Sequence, residues 1–177
     1  MALTGCSRYG PLRQQWNYKT GDTIAATPVF NSGNVYIGSW DGYEYALNES
    51  TGALKWRKYL GEAPDPGGCD KAGVTSAPLT IGGALYLGGG NDNWYALNES
   101  TGAELWHFFV GSVAAGNYNW STPAALNGFA YVGVASLCDT PLVQGKLYRV
   151  NLSTHAVANT WKAVSYTHLT LPTNREV

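Results

Sequence analysis

Charged side chains are scarce in this sequence. They make up 13% of the 177 residues, about half the share that is usual in a soluble domain, so disorder driven by charge repulsion is excluded. The 11 basic and 12 acidic residues give a net charge of -1 and form no run of one sign. The sequence therefore lacks the basic surface that binding to nucleic acid or to an anionic membrane requires.

A long apolar membrane span is also absent. Residues 108–138 contain no charged side chain, but several Asn, Ser and Thr residues and Pro123 interrupt the stretch, and a lipid-facing helix could not satisfy them. No stretch shows helical periodicity long enough to compete with the short alternating patterns described next. The sequence therefore predicts no transmembrane helix and an all-β fold.

A nine-residue repeat is the strongest signal that is present. The segment YALNESTGA occupies 45–53 and returns at 95–103, and Trp56 and Trp106 follow the two copies at the same distance. A fixed period of about 40 to 50 residues is typical of a repeat array. Weaker copies lie around Trp16 and Trp161.

Each unit contains four short β-type runs separated by turn residues. Because four strands per repeat is typical of a propeller blade, we predict a partial β-propeller of about three four-stranded blades, plus one outer strand of a preceding blade around Trp16. The predicted strands are 25–30, 35–40, 43–48 and 53–60, then 75–81, 85–89, 94–98 and 104–110, then 121–126, 130–135, 146–152 and 157–162.

We predict that the chain consists of a lead at 1–13, propeller repeats at 14–163 and a tail at 164–177. The blades are expected at about 23–61, 73–111 and 119–163. Propellers close with about 4 to 8 blades, so we expect the chain to be a fragment. The tail segment VSYTHLTLPT resembles the in-frame translation of a transposon-based sequencing adapter, and we expect it to be non-native and to add nothing to folding. The alternative is a natural strand of alternating Thr and Leu.

The two strong copies resemble the tryptophan-docking motif of PQQ-type, quinoprotein-like β-propeller repeats. The resemblance covers about 14–163, and one departure is uniform: Asn48, Asn98 and Asn151 stand where the family usually has Asp, which keeps a turn acceptor without its charge. The docking residues that the resemblance implies are Ala46, Asn48, Thr51, Gly52 and Trp56, then Ala96, Asn98, Thr101, Gly102 and Trp106, and Trp161 in the weaker third copy.

Turn chemistry supports the same motif. Asn48 can hydrogen-bond its own turn, and Gly52 permits the positive φ at which the chain reverses. Trp56 is then free to lie between blades, where burial of an indole stabilises by at most about 4 to 6 kcal/mol. In the third copy His155 stands at the glycine position and two extra residues precede Trp161, so we expect a looser dock there.

The order of strands in a blade places the interblade links and the loops between second and third strands on one face. All long insertions, 62–73, 111–120 and 137–145, fall on this loop face, so we expect binding there. Its aromatic and acidic residues suit a sugar, an alcohol or a flat cofactor, but a structural role is favoured because no paired carboxylates emerge. These residues are Trp40, Asp41, Tyr43, Asp65, Asp70, Asp92, Trp94, Tyr118, Trp120 and Asp139.

Cysteine is rare, and the three residues match no zinc-binding spacing. Cys69 and Cys138 lie in loops expected on the same face of neighbouring blades, so we predict that they can pair as a disulfide in an oxidising compartment. Cys6 ends a sequence that fits a lipoprotein cleavage box. Only five residues precede it, whereas a signal segment needs roughly 15 to 30, so an ordinary free cysteine is favoured over a lipidated one.

The sequence leaves two functions open. The favoured one is a non-catalytic, extracytoplasmic binding or assembly platform that takes a protein or small-molecule ligand on the loop face. The alternative, implied by the family resemblance, is part of a quinone-dependent alcohol or sugar dehydrogenase, with PQQ and calcium in the full-length parent. We assign no catalytic, cofactor-binding or metal residue. Open blade faces would also favour self-association.

Overall fold

A computed structural model describes residues 13–63, 72–136 and 143–163. Within this part the regular secondary structure is β-strand, apart from one short 3-10 helix at Val113–Ala115. None of its helices is long and apolar enough to cross a membrane. The strands are β1 Val29–Asn31, β2 Asn34–Gly38, β3 Tyr43–Asn48, β4 Leu54–Tyr59, β5 Leu79–Ile81, β6 Ala84–Gly88, β7 Asn93–Asn98, β8 Glu104–Phe109, β9 Ala124–Leu126, β10 Phe129–Val134, β11 Lys146–Asn151 and β12 Val157–Lys162.

The twelve strands form three separate four-stranded antiparallel sheets. Their orders are β1-β2-β3-β4, β5-β6-β7-β8 and β9-β10-β11-β12, so that consecutive strands are always neighbours. We call these sheets blades 1, 2 and 3. The arrangement confirms the prediction of an all-β, partial propeller built from four-stranded repeats.

The first strand of each blade is shorter than predicted. β1, β5 and β9 each contain only three residues, and each begins immediately after a proline: Pro28, Pro78 or Pro123. Proline has no N–H to donate to a ladder and is tolerated mainly where a strand begins. The predicted starts at residues 25, 75 and 121 were therefore too early.

The segment around Trp16 differs from the prediction of an outer strand. Residues 13–28 contain no strand, because a strand forms only when its backbone pairs with a neighbour, and the described residues provide none there. The side chain of Trp16 nevertheless packs on blade 1, against the cluster that includes Val35 and Leu47.

The two largest clusters of the core lie between the blades. On blade 2, Leu85, Leu87, Tyr95 and Leu97 pack against blade 1. The alternate residues face blade 3, so both faces of this sheet are covered. A strand buried on both faces has a continuous run of apolar or small residues, which explains the segments at 35–38 and 84–88. The residues between blades 2 and 3 are Ala84, Tyr86, Trp94, Ala96, Val110, Ala130, Val132, Val134 and Val150.

Each outer strand contains one bulge at the same place. In blade 1 the register shifts between Ala46 and Leu47, which face Trp56 and Leu54, so Lys55 is the extra residue. The same shift recurs in blades 2 and 3. A bulge re-aims the side chains that follow it, and here it sets which residue of the outer strand reaches the docking position.

Glu44 is an unusual component of the interface between blades 1 and 2. It is fully buried at the position that Trp94 occupies in blade 2, and neither carboxyl oxygen has a hydrogen-bond partner. Burial without compensation disfavours the charged form, and it raises the pKa of the Glu44 carboxyl well above its usual value of 4.5. The folded protein therefore holds this side chain protonated under conditions in which the unfolded chain ionises it.

This difference predicts a loss of stability as pH rises. The folded state retains the Glu44 proton above pH 4.5, whereas the unfolded state releases it, so the free energy of unfolding falls until the folded-state pKa is passed. Glu44→Gln removes that proton exchange, and we expect it to be relatively more stable than the wild type at pH 8 than at pH 5. Urea denaturation at both values measures this, with the exposed Glu49→Gln as the control. An unchanged pH dependence in Glu44→Gln would contradict the assignment.

Candidate functional site

One asparagine side chain organises each turn between the third and fourth strands. The Asn48 Oδ1 accepts hydrogen bonds from the backbone N–H groups of Ser50 and Thr51 at 3.0 and 2.9 Å, and from the Thr51 hydroxyl at 3.0 Å. Asn98 repeats all three contacts in blade 2, and Asn151 repeats the two backbone contacts in blade 3. These bonds require an acceptor oxygen but no charge, so asparagine performs the role expected of aspartate.

The backbone of each turn accepts a tryptophan from the preceding unit. The Trp16 Nε1 donates a hydrogen bond of 2.8 Å to the carbonyl oxygen of Glu49. The Trp56 Nε1 donates one of 3.0 Å to the equivalent carbonyl of Glu99. The tryptophan of one unit thus lies on the turn of the next.

Glycine is required where the indole meets the turn. Gly52 and Gly102 have φ of 69° and 70°, a left-handed conformation that costs other residues energy. A Cβ on Gly52 would lie 2.6 Å from the Trp16 ring, and one on Gly102 would lie 2.6 Å from the Trp56 ring. Both the backbone angle and the close approach of the ring therefore select glycine.

In the third turn, histidine occupies the position of this glycine. His155 has φ of 60°, and its ring stacks on Trp106 with centroids 4.6 Å apart and planes 20° apart. Left-handed geometry at His155 agrees with the sequence prediction. However, His155 contacts the docked ring of Trp106 and not that of Trp161, because each tryptophan packs on the following blade.

Trp161, predicted as the third docking residue, does not lie at the ladder position of the two earlier docking tryptophans. Asn159 lies opposite Arg149, at the ladder position of the docking tryptophans, whereas Trp161 lies two residues further along, opposite Leu147. There is no insertion in the turn: Asn151 N–H bonds to the Ala156 carbonyl at 2.9 Å, as Asn48 N–H does to that of Ala53 at 2.8 Å. Trp161 is 47% exposed on the outer strand.

Small residues face the docking tryptophans across the sheet. Ala46 lies opposite Trp56 and Ala96 lies opposite Trp106, and both alanines are completely buried. A methyl group fills this position without displacing the indole, since interiors are packed closely enough that one larger side chain would force a shift.

Glu99 adds a polar clamp between blades 1 and 2. Its side chain accepts hydrogen bonds from Asn31 Nδ2 at 2.6 Å and from the Tyr36 hydroxyl at 3.2 Å. Burial, followed by the nearby Glu99 charge, raises the pKa of Tyr36 to about 12, so the hydroxyl remains a donor. Glu49 has the same local sequence but is exposed.

Two carboxylates of the loop face accept hydrogen bonds from backbone N–H groups. Asp41 accepts hydrogen bonds from the N–H groups of Gly21 at 2.7 Å and Tyr43 at 3.1 Å, and Asp92 accepts one from Val113 N–H at 2.7 Å. Asp65, Asp70 and Asp139, and the predicted disulfide partners Cys69 and Cys138, lie outside the described residues. The described part of the chain holds no group of three or more His, Cys, Asp or Glu side chains that could bind a metal ion.

Trp94 belongs to the core and not to the loop-face surface. It is completely buried between blades 2 and 3, where it stacks on Tyr86 and contacts the Trp106 and Phe108 rings, each with centroids 5.6 to 5.7 Å apart. This is the structural role that the sequence favoured for tryptophan.

A cavity of about 230 Å³ opens on the loop face between blade 1, blade 2 and the link to blade 3. We call it the loop-face cavity. It brings together three of the predicted aromatic residues, Trp40, Tyr118 and Trp120, from a loop of blade 1 and from the link to blade 3. Its lining is completed by Ala25, Ala72, Gly73, Thr75, Gly89, Gly90 and Asn119, none of which is charged.

Sequence reasoning missed Asn119 and the glycines of this cavity. Asn119 is 4% exposed and its Oδ1 has no hydrogen-bond partner. A Cβ on Gly90 would lie 2.1 Å from the Gly61 carbonyl oxygen, so the wall is formed by closely packed backbone. The glycines at 89 and 90, where the equivalent loop of blade 1 has Ser39 and Trp40, were the available signal.

These features define an arc of tryptophan-docked propeller blades with a small cavity on its loop face. The family described as outer membrane protein assembly factor BamB matches residues 13–164. The chain therefore belongs to this family of PQQ-like propeller repeats.

Solved structures show the same fold. A europium-containing methanol dehydrogenase is 21% identical, with a TM-score of 0.70, over 85% of this chain and 27% of that chain. A quinohemoprotein alcohol dehydrogenase from Comamonas testosteroni is 20% identical, with a TM-score of 0.63, over 81% of this chain and 21% of that chain. The chain therefore spans about a quarter of the length of these structures. Among curated proteins, none matches it significantly.

The two copies of the glutamate in the docking turn provide a matched pair of variants. Glu99→Ala removes the acceptor of Asn31 and Tyr36, and we expect it to lower the free energy of unfolding by about 2 kcal/mol. Glu49→Ala changes the same residue in the same sequence at an exposed position and should cost less than about 0.5 kcal/mol. Chemical denaturation of both variants measures the difference; equal losses would show that the clamp adds nothing.

The docking tryptophans are expected to differ from Trp161. Trp56→Ala should destabilise by about 3 kcal/mol, because it removes a large ring packed on Gly102. Trp161→Ala should cost less than about 1 kcal/mol, since its ring is half exposed. Trp56→Phe, which loses only the bond to Glu99 and part of the ring, should cost about 1 kcal/mol. The expectation fails if denaturation gives Trp161→Ala and Trp56→Ala the same loss.

Proposed function

We propose that this protein is a non-catalytic binding or assembly platform that acts outside the cytoplasm and takes its ligands on the loop face. The observation that carries the proposal is membership, over residues 13–164, of the family described as an outer membrane protein assembly factor. That description also supports the extracytoplasmic location. The partner it favours is a protein component of outer-membrane assembly.

The positions of the docking turns and of the exposed loop residues also favour the loop face as the binding surface. The docking turns fix the opposite side of each blade through repeated backbone hydrogen bonds. The loop face instead carries the interblade links and exposes Trp120, which is 44% accessible beside the loop-face cavity. Binding residues are concentrated on loops held by a rigid scaffold, and tryptophan is enriched at interface hot spots.

Among the described residues we identify no set that suits a site for a quinone and its calcium ion. Calcium takes six to eight oxygen ligands, but Asp41 and Asp92, two of the loop-face carboxylates that the structure describes, already accept backbone hydrogen bonds. No group of possible metal ligands accompanies them among the described residues. These residues do not fit a calcium-bound quinone, and we derive no redox step. The likeness to the dehydrogenases, at 20 and 21% identity, is one of fold.

Site-specific crosslinking tests the proposal. A photoreactive amino acid in place of Trp120 lies on the loop face, and one in place of Ser100 lies on the docking-turn face of blade 2. After illumination with outer-membrane proteins extracted in detergent, we expect a defined crosslinked protein from position 120 and none from position 100. Mass spectrometry identifies the crosslinked protein. Identical products from both positions would contradict a loop-face platform.

An activity assay tests the dehydrogenase alternative. The purified protein is incubated with PQQ and calcium and then with primary alcohols or aldoses in the presence of a redox dye. Saturable dye reduction would overturn the non-catalytic proposal in favour of the dehydrogenase alternative.

A further inference from the structure

We propose that the outward face of blade 3 docks a partner protein through a glutamate-bearing β-turn, whose carboxylate is held by Arg149 and Tyr131. This surface is separate from the loop face, and the inference does not depend on the proposed function. Four observations support it: the exposure of the face, an exchange of its docking residues, the charge of the blade, and the contacts that Glu99 makes at the equivalent place between blades 1 and 2.

The outward face of blade 3 is the side of this sheet that points away from blade 2. The core residues of blade 3 pack on blade 2, so the alternate residues of the same strands point outward. The register pairs these outward residues as Leu126 with Phe129, Tyr131 with Arg149, Arg149 with Asn159 and Leu147 with Trp161. Leu126, Leu147 and Trp161 are 62, 41 and 47% exposed. The described face is therefore apolar and accessible, with Arg149 between its apolar rows.

Arg149 stands at the position of the docking alanines. In blade 1 Ala46 lies opposite Trp56, whereas in blade 3 Arg149 lies opposite Asn159. Both members of the pair have therefore changed together. The Arg149 Nη1 donates a hydrogen bond of 3.2 Å to the Asn159 Oδ1, and the guanidinium carbon lies 3.5 Å from the centre of the Phe129 ring. The exchange removes a docking indole from this face and fixes a cation in its place.

The charge of Arg149 has no acidic partner within the described part of its blade. Residues 121–136 and 143–163 contain Lys146, Arg149 and Lys162 but no Asp or Glu. The hydrogen bond to Asn159 uses one of the five N–H donors of the guanidinium. A planar guanidinium is matched best by a carboxylate, which accepts two parallel hydrogen bonds from it. The chemical group that complements this face is therefore an acidic side chain of the surface that covers it.

The interface between blades 1 and 2 shows how such a face receives a glutamate. The Tyr36 hydroxyl donates a hydrogen bond of 3.2 Å to the Glu99 carboxyl group, and the Trp56 Nε1 donates one of 3.0 Å to the Glu99 carbonyl oxygen. Tyr131 has the ladder position of Tyr36, and Arg149, directly opposite Tyr131, supplies a second donor with a positive charge. A glutamate on a facing turn would again meet two donors, one of which now adds an ion pair.

A second copy of this chain suits the face poorly. Two copies of the outward face would bring Arg149 against Arg149, and like charges repel. Glu49 lies in the turn of blade 1, but Trp16 already donates to its carbonyl oxygen, so the segment around Trp16 occupies the place that β12 of an incoming blade 3 requires. A small anion would leave Leu147 and Trp161 exposed. A protein turn with apolar flanks covers them and supplies the carboxylate.

Titration of the whole protein with a defined turn peptide tests the inference. The probe is the repeated segment 95–103 as a head-to-tail cyclic peptide, in which Glu99 is the one acidic residue. The comparison peptide carries Glu99→Gln. Isothermal titration calorimetry and ligand-observed NMR saturation transfer measure the binding. We expect saturable binding of the glutamate peptide and at least about 5-fold weaker binding of the glutamine peptide, because hydrogen bonds between charged groups are the stronger ones. Added salt should reduce this difference.

Substitutions locate the peptide on the outward face. Arg149→Ala removes the cation and should weaken binding of the glutamate peptide by about 5- to 10-fold, and Tyr131→Phe removes one donor and should weaken it by about 3-fold. Arg149→Lys keeps the charge without the planar fork and should lie between Arg149→Ala and the wild type. Arg57→Ala is the matched control, because Arg57 also lies over an aromatic ring, 4.8 Å from the centre of Tyr43 on blade 1. It should leave affinity unchanged.

A reversal of charge keeps the test valid if loss of Arg149 disturbs folding. Arg149→Glu should lose the glutamate peptide and gain binding of a peptide that carries Glu99→Lys, which a misfolded variant would not do.

Several results would overturn the inference. They are the absence of saturable binding by the glutamate peptide, equal binding of the glutamate and glutamine peptides, and a loss of affinity in Arg149→Ala no larger than that in Arg57→Ala. Sedimentation velocity tests the other occupant. A wild-type dimer that Arg149→Glu dissociates would identify a second copy of this chain on the outward face and overturn the proposed partner.

Discussion

The docking of each tryptophan on the turn of the following blade is the contact on which the rest of the structure depends. A single four-stranded sheet of this sequence is apolar on both faces and cannot bury them alone. Trp56 reaches across to the Glu99 carbonyl and to Gly102, so one side chain joins two sheets by a hydrogen bond and by packing. Stability in such an array is a sum over units and their interfaces, and the tryptophans contribute a large share of each interface.

Identical local sequence produces identical local structure here, but not identical energetics. The turns that begin at Asn48 and Asn98 have the same hydrogen bonds within 0.1 Å, because those bonds lie within the turn. The glutamates that follow differ, since Glu99 finds Asn31 and Tyr36 on the preceding blade, whereas Glu49 is exposed. Energetic differences between repeats therefore arise from what each one faces.

Much of the fold was predictable because its signals are local. The repeated segment at 45–53 and 95–103, the turn asparagines and the alternation of apolar residues sufficed for the twelve blade strands and their grouping, although not for the absence of a strand around Trp16. The third docking position was not predictable from the spacing of tryptophans alone, because the ladder register after the bulge places Asn159, and not Trp161, at that position.

The candidate site was only partly predictable. Aromatic residues on the loop face were foreseen, but Asn119 and the glycine walls of the cavity depend on three distant segments converging, and no local pattern encodes that convergence. Glu44 illustrates the same limit. Its alternation with apolar residues predicts a strand, whereas its burial at the position of Trp94 in the next repeat follows only from the stacking of blades 1 and 2.

The bulge and the docking turn together make the repeat suitable for duplication. A segment of 50 residues, taken from any point in one strong copy to the same point in the next, contains one tryptophan that is inserted and one turn that receives a tryptophan. Copying such a segment adds both halves of a new interface at once, wherever the copied segment begins. A gene that encodes this architecture can therefore lengthen by whole blades without a compensating change in neighbouring repeats, and later substitutions, such as His155 at the receiving position, can then diversify individual interfaces.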